Sequence, residues 1–250
     1  AHRGVVEGFY GRPWSLEDRL WMIERLGRWG MNRYVYAPKN DPLHRDRWRE
    51  PYPEPQAREF AALLEHGAKH GVDVSFALSP GLSIRYSSNE DVARLAEKFR
   101  AFAELGARSL ALFLDDVPSR LAHEEDRRSF RSLGDAHVAL AGRMQEALSP
   151  DVSWWLCPTD YLGVETSEYL ETLGAGLAPE IEVGWTGRTV CSPSIARAEA
   201  TARAAALRRR LLVWDNVPVS DGPMRFMLHL GPYGRRDPEL DDVVSGVLLN

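Results

Sequence analysis

The sequence predicts an α/β fold of the (β/α)8 barrel type, and three observations support this prediction. Eight short apolar runs recur along the chain, most of them are followed by a segment with helical spacing, and polar residues collect at the carboxyl end of the runs. The chain has 250 residues, an ordinary length for one such barrel. We therefore expect residues 1–250 to form a single barrel domain.

The eight runs are short, rich in Val, Leu, Phe, Trp and Tyr, and bounded by turn residues, which is typical of strands. They cover residues 4–11, 32–41, 73–81, 109–116, 152–161, 180–187, 211–216 and 246–250. Because the last run stops at Asn250, we expect the helix that would follow the eighth strand to be absent from these residues.

Helical spacing fills most of the gaps between the runs. In residues 15–29 the apolar positions share one face, Ser15 and Asp18 form a capping box, and Gly30 suits the end of a helix. Further helices are predicted over 55–70, 88–105, 126–148 and 192–209, with a short one within 164–178 and, over 217–240, a long loop with at most a short helix.

A doubly wound open sheet is the alternative fold. It requires a glycine-rich phosphate loop after the first strand. The stretch "EGFYGRPW" lacks the GxGxxG spacing, and its aromatic side chains would obstruct a pyrophosphate. The barrel is therefore favoured.

Composition and charge exclude several function classes. The net charge is −5, so there is no basic surface of the kind that binds nucleic acid or an anionic membrane. No apolar run reaches the length of a membrane span. Cys157 and Cys191 lie in no metal-binding pattern, and we expect both to be free thiols.

The stretch "SLALFLDDVPS" places two adjacent carboxylates, Asp115 and Asp116, directly after a buried-looking run. An isolated pair of this kind is usually solvated, but in a parallel barrel the strand ends face one pocket. There, one carboxyl group can act as a general acid while its neighbour stabilises charge, which suits glycoside cleavage.

Aromatic residues near the strand ends also indicate a sugar ligand, because their faces pack against pyranose rings. These are Tyr10, Tyr161, Trp185 and Trp214, whereas we expect Trp14, Trp154 and Trp155 to be core or loop anchors. A metal site of Asp41 with the paired aspartates is the weaker alternative, since the HxH, HExxH and GxSxG patterns are absent.

A set of motifs in this order resembles the catalytic barrel of glycoside hydrolase family 84, which contains protein O-GlcNAc hydrolases and β-N-acetylglucosaminidases. The motifs are "GVVEGFYGRPWS", "YVYAPKNDPLHRDRWRE", "ALSPGL", "LALFLDDV", "LCPTDYLG", "EVGWTG", "VWDN", "LGPYG" and "GVLLN". The resemblance spans essentially the whole chain and implies that residues 1–250 form one catalytic barrel.

The resemblance implies a retaining mechanism in which the substrate's own 2-acetamido oxygen attacks the anomeric carbon and forms an oxazoline. By that resemblance, Asp115 would orient the acetamido N–H, and Asp116 would protonate the leaving oxygen and then activate water. Neither a cofactor nor a metal is expected.

The resemblance also implies substrate-binding residues. Gly8, Lys39, Asp221 and Asn250 would contact sugar hydroxyls, and Asn216 would lie near the acetamido group. Tyr161 and Trp214 would form the walls of the acetamido pocket, and Thr186 and Val190 would lie in the loop that borders this pocket. One departure is Gly222, where family members often carry an aromatic residue.

The predicted function is therefore hydrolysis of terminal β-linked GlcNAc on a glycoprotein or glycan. Two alternatives stay open, a GlcNAc-binding barrel without turnover and an endo-acting hyaluronidase. No nucleic-acid or membrane partner is expected.

Overall fold

In a computed structural model of the chain, eight parallel strands form a closed barrel in the order β1 to β8. The structure describes residues 1–217, 219–226, 228–229 and 231–250. Closure comes from the pairing of β1 with β8, in which His2 lies opposite Gly246 and Val5 opposite Leu249. The predicted (β/α)8 barrel is confirmed.

The strands are β1 (His2–Glu7), β2 (Arg33–Tyr36), β3 (Asp73–Leu78), β4 (Ser109–Phe113), β5 (Ser153–Cys157), β6 (Glu182–Trp185), β7 (Leu211–Asp215) and β8 (Val244–Leu249). The helices are α1 (Leu16–Arg28), α2 (Glu54–His70), α3 (Asn89–Glu104), α4 (Glu124–Ser129), α5 (Leu133–Ala147), α6 (Glu168–Gly176) and α7 (Arg197–Leu207). Within the described part of the chain, no helix is long and apolar enough to cross a membrane.

The single helix predicted over 126–148 is wrong, because the chain forms α4 and α5 with a break between them. Phe130 adopts an extended backbone that ends α4. Ser132 then caps α5, and its hydroxyl accepts the Asp135 N–H at 3.1 Å. The helix predicted over 192–209 begins only at Arg197, since Ile195 is bridged to Arg236.

Residues 217–240 contain a 3₁₀ turn over Gly222–Met224 and a second one that starts at Leu240, which agrees with the predicted long loop. Pro218, Met227 and Leu230 of this predicted loop lie outside the described residues.

Two apolar layers build the molecule. The interior of the barrel is filled by side chains that include Val35, Phe113, Trp155 and Trp214, and the larger outer layer lies between the strands and the helices. Because successive strand residues face opposite sides, most strands contribute to both layers, whereas β6 contributes Val183 and Trp185 to the outer layer alone. Trp154 and Trp155 are both buried, in agreement with their assignment to the core.

A buried ion pair joins β1 to α1. Glu7 is fully buried and accepts two hydrogen bonds from Arg19, at 2.8 and 2.9 Å. It also accepts hydrogen bonds from the Tyr34 hydroxyl and, at 3.0 Å, from the backbone N–H of Trp14. All the donors converge on one carboxylate, so removal of one of them leaves a charge poorly compensated in the core.

Replacement of Arg19 by Met is therefore expected to lower the free energy of unfolding by about 3 kcal/mol or more, the usual cost of breaking a buried pair. Chemical denaturation followed by tryptophan fluorescence measures the loss. The control is Arg94→Met, since Arg94 pairs with Glu90 between side chains that are 50% and 65% exposed. That variant should lose less than about 1 kcal/mol. Equal losses in the two variants would contradict the prediction.

Candidate active site

A cavity of about 360 Å³ lies at the carboxyl end of the strands. All nine residues that the sequence predicts for the site line this cavity, namely Gly8, Lys39, Asp115, Asp116, Tyr161, Trp214, Asn216, Asp221 and Asn250. Thr186 and Val190 also line it, as predicted for the bordering loop. The barrel therefore brings together residues that are up to 242 positions apart in the chain.

Asp115 is fixed by a buried ion pair with Lys39. Its Oδ2 accepts a hydrogen bond from the Lys39 ammonium, and the two residues are 5% and 7% exposed. Burial alone would lower the pKa of Lys39, but the charge of Asp115 and the hydrogen bond to it outweigh burial and raise that pKa. Lys39 therefore remains a cation beside the carboxylate.

The second oxygen of Asp115 is buried and has no hydrogen-bond partner among the described residues. An unpaired buried acceptor costs roughly 1–3 kcal/mol. Since Asp115 lines the cavity, this oxygen is available to a donor on a bound molecule.

Asp116 lies in a different environment from its neighbour. Its side chain is 34% exposed, and its two oxygens accept the hydroxyls of Tyr10 at 2.8 Å and Tyr161 at 3.1 Å. Burial raises the pKa of the Tyr161 phenol, and the charge of Asp116 raises it further. The phenol thus stays protonated and continues to donate to the carboxylate.

The backbone of Asp116 explains how two adjacent residues reach one cavity. Along a strand, successive side chains point to opposite faces. Asp116 has φ of +52°, a left-handed conformation that Asp tolerates better than most residues, and it breaks this alternation. Its carbonyl oxygen accepts a hydrogen bond from Arg45 at 3.3 Å.

A chain of amides lines the opposite wall of the cavity. Asn216 Oδ1 accepts hydrogen bonds from Trp214 Nε1 at 2.9 Å and from Asn250 Nδ2 at 2.8 Å. Asn250 Oδ1 accepts the Gly8 N–H at 3.0 Å. Because that N–H is engaged, a contact from Gly8 to a sugar would have to use its carbonyl oxygen.

Gly8 is required by close packing against Trp214. A Cβ atom at this position would lie 2.3 Å from Trp214 Cζ2, far inside contact distance. The glycine thus allows the edge of the indole ring to pack against the backbone directly after β1, at the cavity wall.

Asp221 reaches the cavity from the loop after β7. Its Oδ2 accepts the Tyr10 N–H at 2.8 Å, which links this loop to the loop after β1. Gly222, the departure from the family pattern, also lines the cavity and has φ of +47°.

Asp41 offers no support for the alternative of a metal site with the paired aspartates. Asp41 accepts the hydroxyls of Tyr36 at 2.8 Å and Tyr52 at 2.7 Å, so it is engaged in the core.

The prediction that Trp185 faces a sugar is wrong. Its side chain is fully buried, and its indole N–H donates to the Gly163 carbonyl at 2.9 Å.

Sequence reasoning gave no site role to Arg45, Cys157, Val219 or Met224. Cys157, Val219 and Met224 line the cavity. Arg45 does not line it, but it donates a hydrogen bond to the hydroxyl of Tyr10, which does, at 2.8 Å. Cys157 is the last residue of β5, a signal that the strand-end rule could have used. No local pattern identifies Arg45, because its partners are 35 and 71 residues away.

Comparisons with known proteins agree with this architecture. The family model described as beta-N-acetylglucosaminidase matches residues 3–250. A solved mutant of the O-GlcNAc hydrolase of Thermobaculum terrenum matches with a TM-score of 0.97 and 42% identity, over 100% of this chain and 54% of that one.

The proteins named Protein O-GlcNAcase from Rattus norvegicus and Mus musculus are each 37% identical to this chain over 253 residues. The match covers 99% of this chain and 27% of theirs, so the chain spans about a quarter of the length of these relatives. The family match over nearly every residue confirms the resemblance seen in the motifs, and the chain belongs to the beta-N-acetylglucosaminidase family of glycoside hydrolases.

Proposed function

We propose that this barrel, as a single catalytic unit over residues 1–250, hydrolyses terminal β-linked N-acetylglucosamine with retention of configuration. The observation that carries the proposal is the state of Asp115. Lys39 holds one of its oxygens, and the other is buried at the cavity with no hydrogen-bond partner in the part of the chain that the structure describes. An acetamido N–H is a donor of the kind that this oxygen lacks, and its binding would recover the cost of the unpaired acceptor.

The first chemical step uses the acetamido group as the nucleophile. Its carbonyl oxygen bonds to the anomeric carbon while Asp115 accepts the N–H and stabilises the positive charge of the oxazolinium. Asp116 enters this step as the carboxylic acid, and as the glycosidic bond breaks it transfers its proton to the leaving oxygen and becomes the carboxylate. The second step reverses these roles, since Asp116 takes a proton from water as the water opens the oxazoline ring.

The different exposures of the two carboxylates support this division of labour. Asp115 is 5% exposed and held rigidly, as a group that orients the nucleophile requires. The Asp116 side chain is 34% exposed, so the leaving group and the incoming water can both reach it.

The size of the cavity favours an exo-acting enzyme over an endo-acting hyaluronidase. At about 360 Å³ it lies at the small end of ligand pockets, and residues from β1, β7 and β8 close one side. The names of the relatives indicate GlcNAc on protein as one substrate of this class, so we propose a GlcNAc-bearing protein or glycan as the partner.

The catalytic assignment predicts large losses when either carboxylate becomes an amide. We expect Asp115→Asn and Asp116→Asn each to lower kcat by about 10²–10⁴, the range for a lost general acid or an equivalent contact. Release of 4-methylumbelliferone from its β-N-acetylglucosaminide measures the rate, with the β-glucoside as the substrate that lacks the nucleophile.

The control for this experiment is Asp46→Asn on an exposed carboxylate, which should leave the rate unchanged. Cleavage of the glucoside at an equal rate would overturn the substrate-assisted mechanism. Tight GlcNAc binding by a wild-type protein that hydrolyses neither substrate would favour the binding-module alternative.

The packing of Gly8 predicts that Gly8→Ala displaces the Trp214 ring and distorts the acetamido wall. We expect kcat/KM to fall roughly tenfold or more, because small errors of position are costly in an active site. The control is Gly142→Ala in α5, where an added Cβ meets none of the described atoms within 4 Å. If Gly8→Ala retained full kcat/KM, the indole would not be held at the wall by this contact.

The contacts of Arg45 predict that it positions the proton-transfer group. Arg45→Met should lower kcat about tenfold while KM changes little, since Tyr10 and the Asp116 backbone lose their common donor. Arg45→Lys should be intermediate, because an ammonium cannot reproduce the two-pronged contact. A rise in KM with unchanged kcat would instead assign Arg45 to substrate binding.

A further inference from the structure

A cluster of potential metal ligands lies on the outside of the barrel, where α1 packs against α2. Helices in this fold run antiparallel to the strands, so the last turns of α1 and α2 lie at the amino end of the barrel, opposite the catalytic cavity. Backbones come very close here, because a Cβ at Gly27 would lie only 2.4 Å from the His70 carbonyl oxygen. The glycine therefore creates a tight and well-defined helix contact.

Three side chains converge beside this contact. His66 and His70 are four residues apart on α2, so they share one face, and their ring centroids are 4.5 Å apart. Glu24 projects from the facing side of α1. The nearest ligand atoms of the three residues all lie within 4.8 Å of one another, and all three residues are half-buried.

His66 is prepared for ligation in two respects. Its Nε2 is buried and has no hydrogen-bond partner within the described part of the chain. The ring is also hydrogen-bonded to the Leu20 backbone. An imidazole with one nitrogen free can bind a metal, and a backbone partner on the ring fixes its orientation.

We propose that Glu24, His66 and His70 form a zinc site that clamps α1 to α2. Two imidazole nitrogens and one carboxylate oxygen are ligands that Zn²⁺ prefers, and water completes a tetrahedron. Zinc bonds of about 2.0–2.2 Å place neighbouring ligand atoms roughly 3.4 Å apart. The ligand atoms, which lie within 4.8 Å of one another, reach this spacing through rotamer adjustments of the three half-buried side chains.

The charges around the cluster permit a cation. Arg28 contacts Glu24 Oε1 at 2.6 Å, but the pair is half-exposed and lies within one helix, so Zn²⁺ displaces it at small cost. Lys69 is the other cation near His66, and it is exposed. None of these residues belongs to the catalytic cavity, so the site stabilises the barrel and takes no part in hydrolysis.

Isothermal titration of the metal-free protein with ZnCl₂ tests the proposal. We expect one zinc per chain in the wild type, and a loss of affinity of at least tenfold in each of His66→Ala, His70→Ala and Glu24→Gln. Differential scanning calorimetry at saturating zinc should show a Tm increase of roughly 5 °C in the wild type that is absent from the variants.

The matched control is His123→Ala, which removes a histidine before α4 and should retain both the stoichiometry and the Tm shift. If a variant has a lower Tm without metal, the comparison of affinities still decides the question. Zinc binding that persists in the His66→Ala/His70→Ala double variant would overturn the proposal, as would a wild type that binds no zinc at micromolar concentration.

Discussion

The active site depends on the buried pair between Lys39 and Asp115. These two opposite charges lie at the carboxyl end of an apolar barrel interior. They are stable only as a pair, because burying either charge alone would cost a large desolvation free energy. The rings of Phe113 and Trp214 lie 6.0 and 5.9 Å from the ammonium and add a weaker attraction to it. Such a pair contributes little net stability, but it fixes the direction of the carboxylate, and the remaining oxygen is left as the acceptor that the proposed chemistry uses.

The contacts that link the strands where the barrel closes also form one wall of the pocket. The amide chain from Trp214 through Asn216 and Asn250 to Gly8 crosses β7, β8 and β1, the strands that meet where the sheet closes. The backbone N–H of Asn250 also donates to the Asp215 carbonyl at 3.0 Å. Any shift of β8 against its neighbours would therefore move the cavity wall that these amides form, which explains why residues at the two ends of the chain contribute to one site.

Much of the fold could be predicted because strand and helix periodicities are local. The sequence does not predict the break between α4 and α5, since the apolar spacing continues through it, and only the cap at Ser132 reveals a second start. For Trp185 the strand-end rule conflicts with the alternation of the strand. Val183 and Trp185 share the outward, apolar face of β6, whereas Glu182 and Gly184 lie on the other face, so the period of two places Trp185 in the core although it ends the strand.

The site residues at strand ends could be predicted from position and from the family motifs, whereas Arg45 and the α1–α2 cluster could not. Arg45 acts through Tyr10 and Asp116, which are neighbours only after the barrel closes. Likewise, His66 and His70 show a helical spacing, but nothing in the sequence states that Glu24 of another helix faces them. Contacts of this kind are set by helix packing, which local patterns do not encode.

The loop after β7 brings Asp221 to the cavity although its described residues form no regular strand or α-helix. Arg236 grips both oxygens of Asp215 at 2.6 Å, and the Tyr233 hydroxyl adds a third contact to that carboxylate at 2.7 Å. This clamp ties the later part of the loop to the end of β7. Asp221 is held separately by the Tyr10 N–H. With both parts tied to the ends of strands, the loop holds Asp221 at the cavity, while the side chains of Phe226 and Leu228 in the same loop remain exposed.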